Sequence, residues 1–240
     1  MRTDFVQPDG SLLSLDLRET LTFDAWQSQV FVHQPMDGRS PDAQNRRTFH
    51  VAHRGNYDTF IAQRFGGVLQ RVPSGGGEFL VAGSEDPARS QGLLLWRGRY
   101  HEVQTYIPSA LALAGTTAVD YMAGLRFIDS PDGCVIQPDS AVETVDVRES
   151  FTYAPGIAGL NFLPPGIGLG FLPAWRGAQV SAGEVWKTQD ELQGDYLVLG
   201  ANRTVCVVVP AGSKKSLMPR CLELVKNINS ASMTGKGKAS

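Results

Sequence analysis

Residues 151–175 carry no charged side chain, and inside that window one phrase occurs twice in succession. Pro155-Gly156-Ile157-Ala158-Gly159-Leu160-Asn161-Phe162-Leu163-Pro164 is followed by Pro165-Gly166-Ile167-Gly168-Leu169-Gly170-Phe171-Leu172-Pro173. With Ala158 removed, the copies differ only at Asn161 against Gly170. Proline at 155, 164, 165 and 173 removes backbone donors and fixes φ. Glycine at 156, 159, 166, 168 and 170 relieves the crowding of sharp bends. The pattern predicts a stiff, irregular loop over 155–173, neither a regular helix nor a central strand. It presents Ile157, Leu160, Phe162, Leu163, Ile167, Leu169, Phe171, Leu172 and Trp175. Leaving such side chains in water costs roughly 1.5–3 kcal/mol each. The cover is the chain's own core, a protein neighbour, or a lipid or apolar ligand. The window is long enough to span a bilayer, but broken backbone hydrogen bonds in lipid argue against a transmembrane helix.

The 240 residues, 42% apolar and 19% charged, allow a sizeable core in one large or two small domains. A net charge of −2 gives no overall pull toward nucleic acid or anionic membrane. The distribution is uneven. Residues 1–200 hold 15 Lys+Arg against 23 Asp+Glu, whereas residues 201–240 hold seven against Glu223 alone. The basic tail, with Lys214, Lys215, Arg220, Lys226, Lys236 and Lys238, suits an acidic protein surface, a second copy of the chain included. It lacks interleaved aromatics, so sequence-specific nucleic-acid binding is not expected.

Cys134, Cys206 and Cys221 are far apart, with no metal or redox spacing. No apolar stretch follows Met1-Arg2-Thr3-Asp4-Phe5, so no signal peptide is expected, and the reading is cytoplasmic synthesis in a reducing compartment.

Alternation marks most of the chain as strand. Leu13, Leu15 and Leu17 suggest one strand in an extended N-terminal arm, 1–45. Residues 68–72 and 78–81 flank a glycine-rich turn, and 93–96 and 100–107 flank Arg97-Gly98-Arg99, giving two hairpins. A short strand is expected to end in a tight turn at Asp129-Ser130-Pro131-Asp132-Gly133, and further strands are expected near 134–136, 142–153, 178–187, 195–200 and 204–209. The last is apolar on both faces and therefore central. Helical spacing predicts helices at about 109–126, capped by Ser109, and 217–229. The last ten residues are Gly-, Lys- and Ser-rich and are expected to be disordered on their own. The expectation is a β-rich α+β fold, mostly antiparallel, with long irregular loops. A body over 46–212, divisible into 46–140 and 141–212, sits between the arm and a C-terminal helix with its tail, 213–240.

Chemistry is thinly signalled. A spacing of three puts His50 and His53 on opposite faces of a strand, so they fail as a metal pair. Tyr57 and Asp58 follow them. His101 and Glu102, adjacent in a strand, also point apart, and no partner is visible. Asp129 with Asp132, Glu184, and Asp190 with Glu191 show no spacing that selects a catalytic pair. Gly166-Ile167-Gly168-Leu169-Gly170 lacks the helix that a dinucleotide loop must open, because Pro173 follows. Ala211-Gly212-Ser213-Lys214-Lys215-Ser216 fails as a phosphate loop, since serine stands where the lysine is needed. No nucleophile elbow or metalloprotease motif occurs.

No cofactor or metal is therefore expected. The leading expectation is a non-enzymatic structural or adaptor subunit of a larger assembly, for example a phage particle or injection machine. It would use the apolar loop, arm and basic tail for contacts with other subunits or copies of itself. The alternative is a small-molecule-binding protein or enzyme with a pocket between sheet and helix, lined by His50, His53, Tyr57, Asp58 and His101.

Overall fold

In a computed structural model, residues 1–34, 45–83, 91–191 and 194–235 are described. The elements are, in order, β1 (Arg2–Val6), β2 (Leu12–Leu17), β3 (Gln27–Gln34), β4 (Asn45–His53), α1 (Asp58–Phe65), β5 (Gln70–Ser74), β6 (Gly77–Ala82), β7 (Gln91–Arg97), β8 (His101–Pro108), α2 (Ser109–Leu113), β9 (Leu125–Ser130) and β10 (Gly133–Pro138). They continue with β11 (Thr144–Ala154), β12 (Ala158–Leu163), α3 (Pro165–Gly168), β13 (Ala178–Val180), β14 (Gly183–Asp190), β15 (Gly194–Ala201), β16 (Thr204–Pro210), α4 (Met218–Asn227) and β17 (Ile228–Thr234). The fold is α+β and β-rich, with antiparallel sheets and a few short helices. Among the described residues, no helix is long and apolar enough to cross a membrane.

The chain divides into two compact units. One joins Met1–Ser28 to Val147–Ser240, and the other is the intervening Gln29–Asp146. The sequence reading divides the body near residue 140 and does not anticipate that both ends of the chain share a unit.

In the first unit, strand order is β13-β14-β15-β16-β12-β11, beside a three-stranded sheet β1-β2-β17. Leu13, Leu15 and Leu17 are buried as their alternation requires. They lie opposite Met233, Ala231 and Ile228 of β17, which are also buried. Residues 2–17 are therefore a hairpin and not an extended arm. Residues 228–234 are a strand and not a disordered tail, because buried apolar residues recur through a polar-looking segment. The basic residues Lys236 and Lys238 lie outside the described residues.

Two sequence expectations for 155–173 are corrected. The first copy of the phrase supplies β12, a central strand between β11 and β16. Pro155 and Pro164 fall just outside it, so no ladder donor is lost. The second copy is helical: Pro165 opens α3, where its missing N–H is harmless, and residues 169–171 add a 3-10 turn.

In the second unit, strand order is β3-β4-β8-β7-β6-β5, with β9 and β10 as a separate hairpin. The glycine-rich turn joins β5 to β6, with Gly76 in the left-handed region. The segment expected to be helical over 109–126 starts as α2 at Ser109, continues as 3-10 helix over Gly115–Met122, and ends before β9. Thr116, Thr117 and Val119 are poor α-helix formers beside Gly115. The C-terminal helix is α4, ending at Asn227 where β17 begins.

Candidate functional site

The doubled phrase gives the first unit its most distinctive surface. Leu160 and Phe162 are fully buried in β12, and Leu163 is buried too. Their counterparts Leu169 and Phe171 are 65% and 46% exposed, and nearby Trp175 is 63% exposed. Ile157, Ile167 and Leu172 are half-buried. The nine apolar residues expected at one contact surface therefore split, and only Leu169, Phe171 and Trp175 are strongly exposed.

The exposed turn is held firmly. A methyl group on Gly168 would stand 2.7 Å from the Val205 side chain, so α3 rests closely on β16. Leu172 packs against a cluster of Trp186, Val198 and Val205. Trp186 Nε1 donates to the Trp175 carbonyl at 2.7 Å, and the Gly177 amide donates to Glu184 at 3.1 Å. Beside the turn is a groove of ≈ 370 Å³ bounded in part by Leu169, Leu172, Glu184, Trp186 and Arg203.

The basic residues are spread along the surface. Lys214, Lys215, Arg220 and Lys226 are exposed. Lys215 lies 3.9 Å from Asp195, and Lys226 pairs with Glu223 at 2.9 Å. The Lys187 hydrogen bond holds the Asp195 carboxyl below its ordinary range. Arg220 and Lys226 also line a groove of ≈ 510 Å³ with Arg18, Leu21 and Ile157.

In the second unit, strand alternation sorts the polar candidates onto opposite faces of the sheet. His50 and Ala52 share one face of β4, and His53 lies on the other. His50 stands opposite Gln104, away from His53. On the His53 face, His53 and His101 are direct cross-strand partners, with ring centroids 4.8 Å apart. His101 Nδ1 lies 2.8 Å from Asp129 Oδ1, and Asp129 Oδ2 accepts the Tyr100 amide at 2.8 Å. Burial, and then the nearby charge of His101, hold His53 below the ordinary histidine range.

On the opposite face, Glu102 is fully buried and paired with Arg97 at 2.6 Å. Arg97 also reaches Asp58, in the first turn of α1, and the Tyr57 amide donates to Glu102 at 3.2 Å. This network ties the start of α1 to the sheet and satisfies a backbone donor there. It holds Arg97 above its ordinary range: burial opposes the charge, and the hydrogen bond that Arg97 donates to Asp58 and the charge of Glu102 outweigh it. Tyr57 packs with Ile61, Leu80, Leu93 and Leu95, and among the described residues its hydroxyl has no hydrogen-bond partner.

The five polar candidates do not share one site: His53 and His101 pair on one face with Asp129, Tyr57 and Asp58 meet Glu102 and Arg97 on the other, and His50 stands apart from both groups. Register could have suggested the Arg97–Glu102 pair, since Arg97 and Glu102 are opposed across the short β7–β8 turn. Asp129 comes from a different hairpin and leaves no local signal. All three cysteines are free and buried, and burial pushes each thiol up, away from nucleophilic use. No protein family, curated protein or solved structure matches this chain.

Proposed function

We propose that this chain is a non-enzymatic structural or adaptor subunit of a larger protein assembly, docking through the turn that carries Leu169, Phe171 and Trp175. The observation behind this reading is the divergence of the two copies. The same apolar phrase that builds a core strand also builds a braced turn with its large side chains in solvent. Large apolar side chains exposed within one short segment of chain are a feature of interaction surfaces. A backbone already fixed by Gly168 against Val205 and by the Trp186–Trp175 hydrogen bond loses little freedom on docking. The adjoining groove offers a place for a partner side chain. Exposed Lys214, Lys215, Arg220 and Lys226 favour an acidic partner surface, a second copy among the options.

Light scattering of the purified chain tests the reading, with self-association as the direct assay. The expected result is a concentration-dependent mass above the 26.0 kDa of one chain. Replacement of Leu169, Phe171 and Trp175 by serine returns it to one chain while the circular dichroism spectrum stays the same. A monomer at every concentration, insensitive to those replacements, overturns it.

A further inference from the structure

His53 ends β4 and His101 opens β8, and the antiparallel register sets them directly across from each other. Their ring planes are 35° apart at a centroid separation of 4.8 Å. Packing alone would account for two close rings. It does not account for the carboxylate behind one of them. Asp129 Oδ1 lies 2.8 Å from His101 Nδ1, and the Tyr100 amide holds the other oxygen in place. An ionised carboxylate only accepts, so Nδ1 carries the proton and Nε2 remains for a second partner. Histidines that ligate metals are oriented in this way.

We infer that His53 and His101 form a two-nitrogen site for a borderline divalent transition-metal ion such as zinc, with Asp129 fixing the His101 ring from behind. A Zn–N bond is about 2.0–2.1 Å, and the ring centre lies about 1.1 Å beyond the nitrogen, so two imidazoles at a tetrahedral angle have centroids about 5 Å apart. The observed 4.8 Å matches that separation. The Asp129 carboxylate offsets part of the ion's charge. His53 is half-buried, which opens the pair to solvent on its side. Among the described residues, no three His, Cys, Asp or Glu side chains are gathered to hold a metal. Water therefore completes the coordination, and the open positions distinguish the site from a closed structural one.

The experiment uses the full chain and zinc chloride at neutral pH, in competition with a chromophoric chelator, alongside histidine side-chain NMR. One equivalent of zinc binds and shifts the His53 and His101 resonances together. His53→Gln weakens binding at least about tenfold, and Asp129→Asn weakens it about 10–100-fold. His33→Gln leaves it unchanged, because His33 pairs with Asp146 at 3.2 Å, away from the site. Circular dichroism establishes that each variant is folded. If Asp129→Asn fails to fold, His53→Gln decides the matter. Parental affinity in His53→Gln, loss of binding in His33→Gln, or unmoved His53 and His101 resonances in the parent overturns the inference.

Discussion

Leu160 and Leu169 hold the same place in the doubled phrase, yet Leu160 is fully buried in β12 and Leu169 is 65% exposed after α3. Burial predicts opposite sensitivities. Leu160→Ala empties a core position between β11 and β16, at a cost of about 2–5 kcal/mol. Leu169→Ala changes stability by only about 0.5 kcal/mol or less. Urea unfolding of the two variants measures the contrast. Equal losses would mean that the exposed turn is covered in solution.

Gly168 and Gly166 lie two residues apart in α3, and their surroundings differ. A Cβ on Gly168 meets the Val205 side chain at 2.7 Å, whereas one on Gly166 meets nothing within 4 Å. Gly168→Ala must push the helix off β16 and is expected to cost about 1–3 kcal/mol. Gly166→Ala should stabilise by about 0.4–1 kcal/mol, because it restricts the unfolded chain without a clash. Thermal unfolding of both variants checks the sign of each change.

The Arg97–Glu102 pair bears on how α1 is held. Arg97→Met leaves the fully buried Glu102 without its cation and is expected to cost about 3–5 kcal/mol. The double variant Arg97→Met/Glu102→Gln should be less damaged than Arg97→Met alone, since the stranded charge is gone. A double-mutant cycle by urea unfolding reads the coupling. Simple additivity would show that the two groups act independently.

Much of the strand pattern was legible because it depends on alternation, which is local. Leu13, Leu15 and Leu17, the β5–β6 and β7–β8 hairpins, and β16 follow from residues close in sequence. The doubled phrase misled because counting prolines and glycines ignores where they fall. Pro155 and Pro164 lie on either side of the six residues that form β12, and Pro165 stands at the first position of a helix, where it is tolerated. The pairing of β2 with β17 joins residues more than 200 positions apart, and Asp129 reaches His101 from another hairpin. Such long-range partners have no signature in a single sequence. His101 and Glu102, adjacent in β8, point to opposite faces as strand alternation requires, and this divides the two polar clusters.

Tyr57 yields a prediction in pH. Its hydroxyl is buried among Ile61, Leu80, Leu93 and Leu95, without a hydrogen-bond partner among the described residues. Burial first, then the charges of Glu102 and Tyr106, push its ionisation well above the ordinary tyrosine range. Unfolded Tyr57 loses its proton near pH 10, while the folded residue keeps it. The folded state thus binds more protons above pH 10, and stability falls as pH rises through that region. Below about pH 10 both states are protonated, and the contribution is fully present. Tyr57→Phe removes the titrating group together with its unsatisfied hydroxyl. It should raise stability by about 1 kcal/mol at neutral pH and flatten the decline between about pH 9 and 11 relative to the parent. Urea midpoints collected across that range provide the comparison. Parallel parent and variant curves would mean that the Tyr57 hydroxyl is solvated in the folded protein.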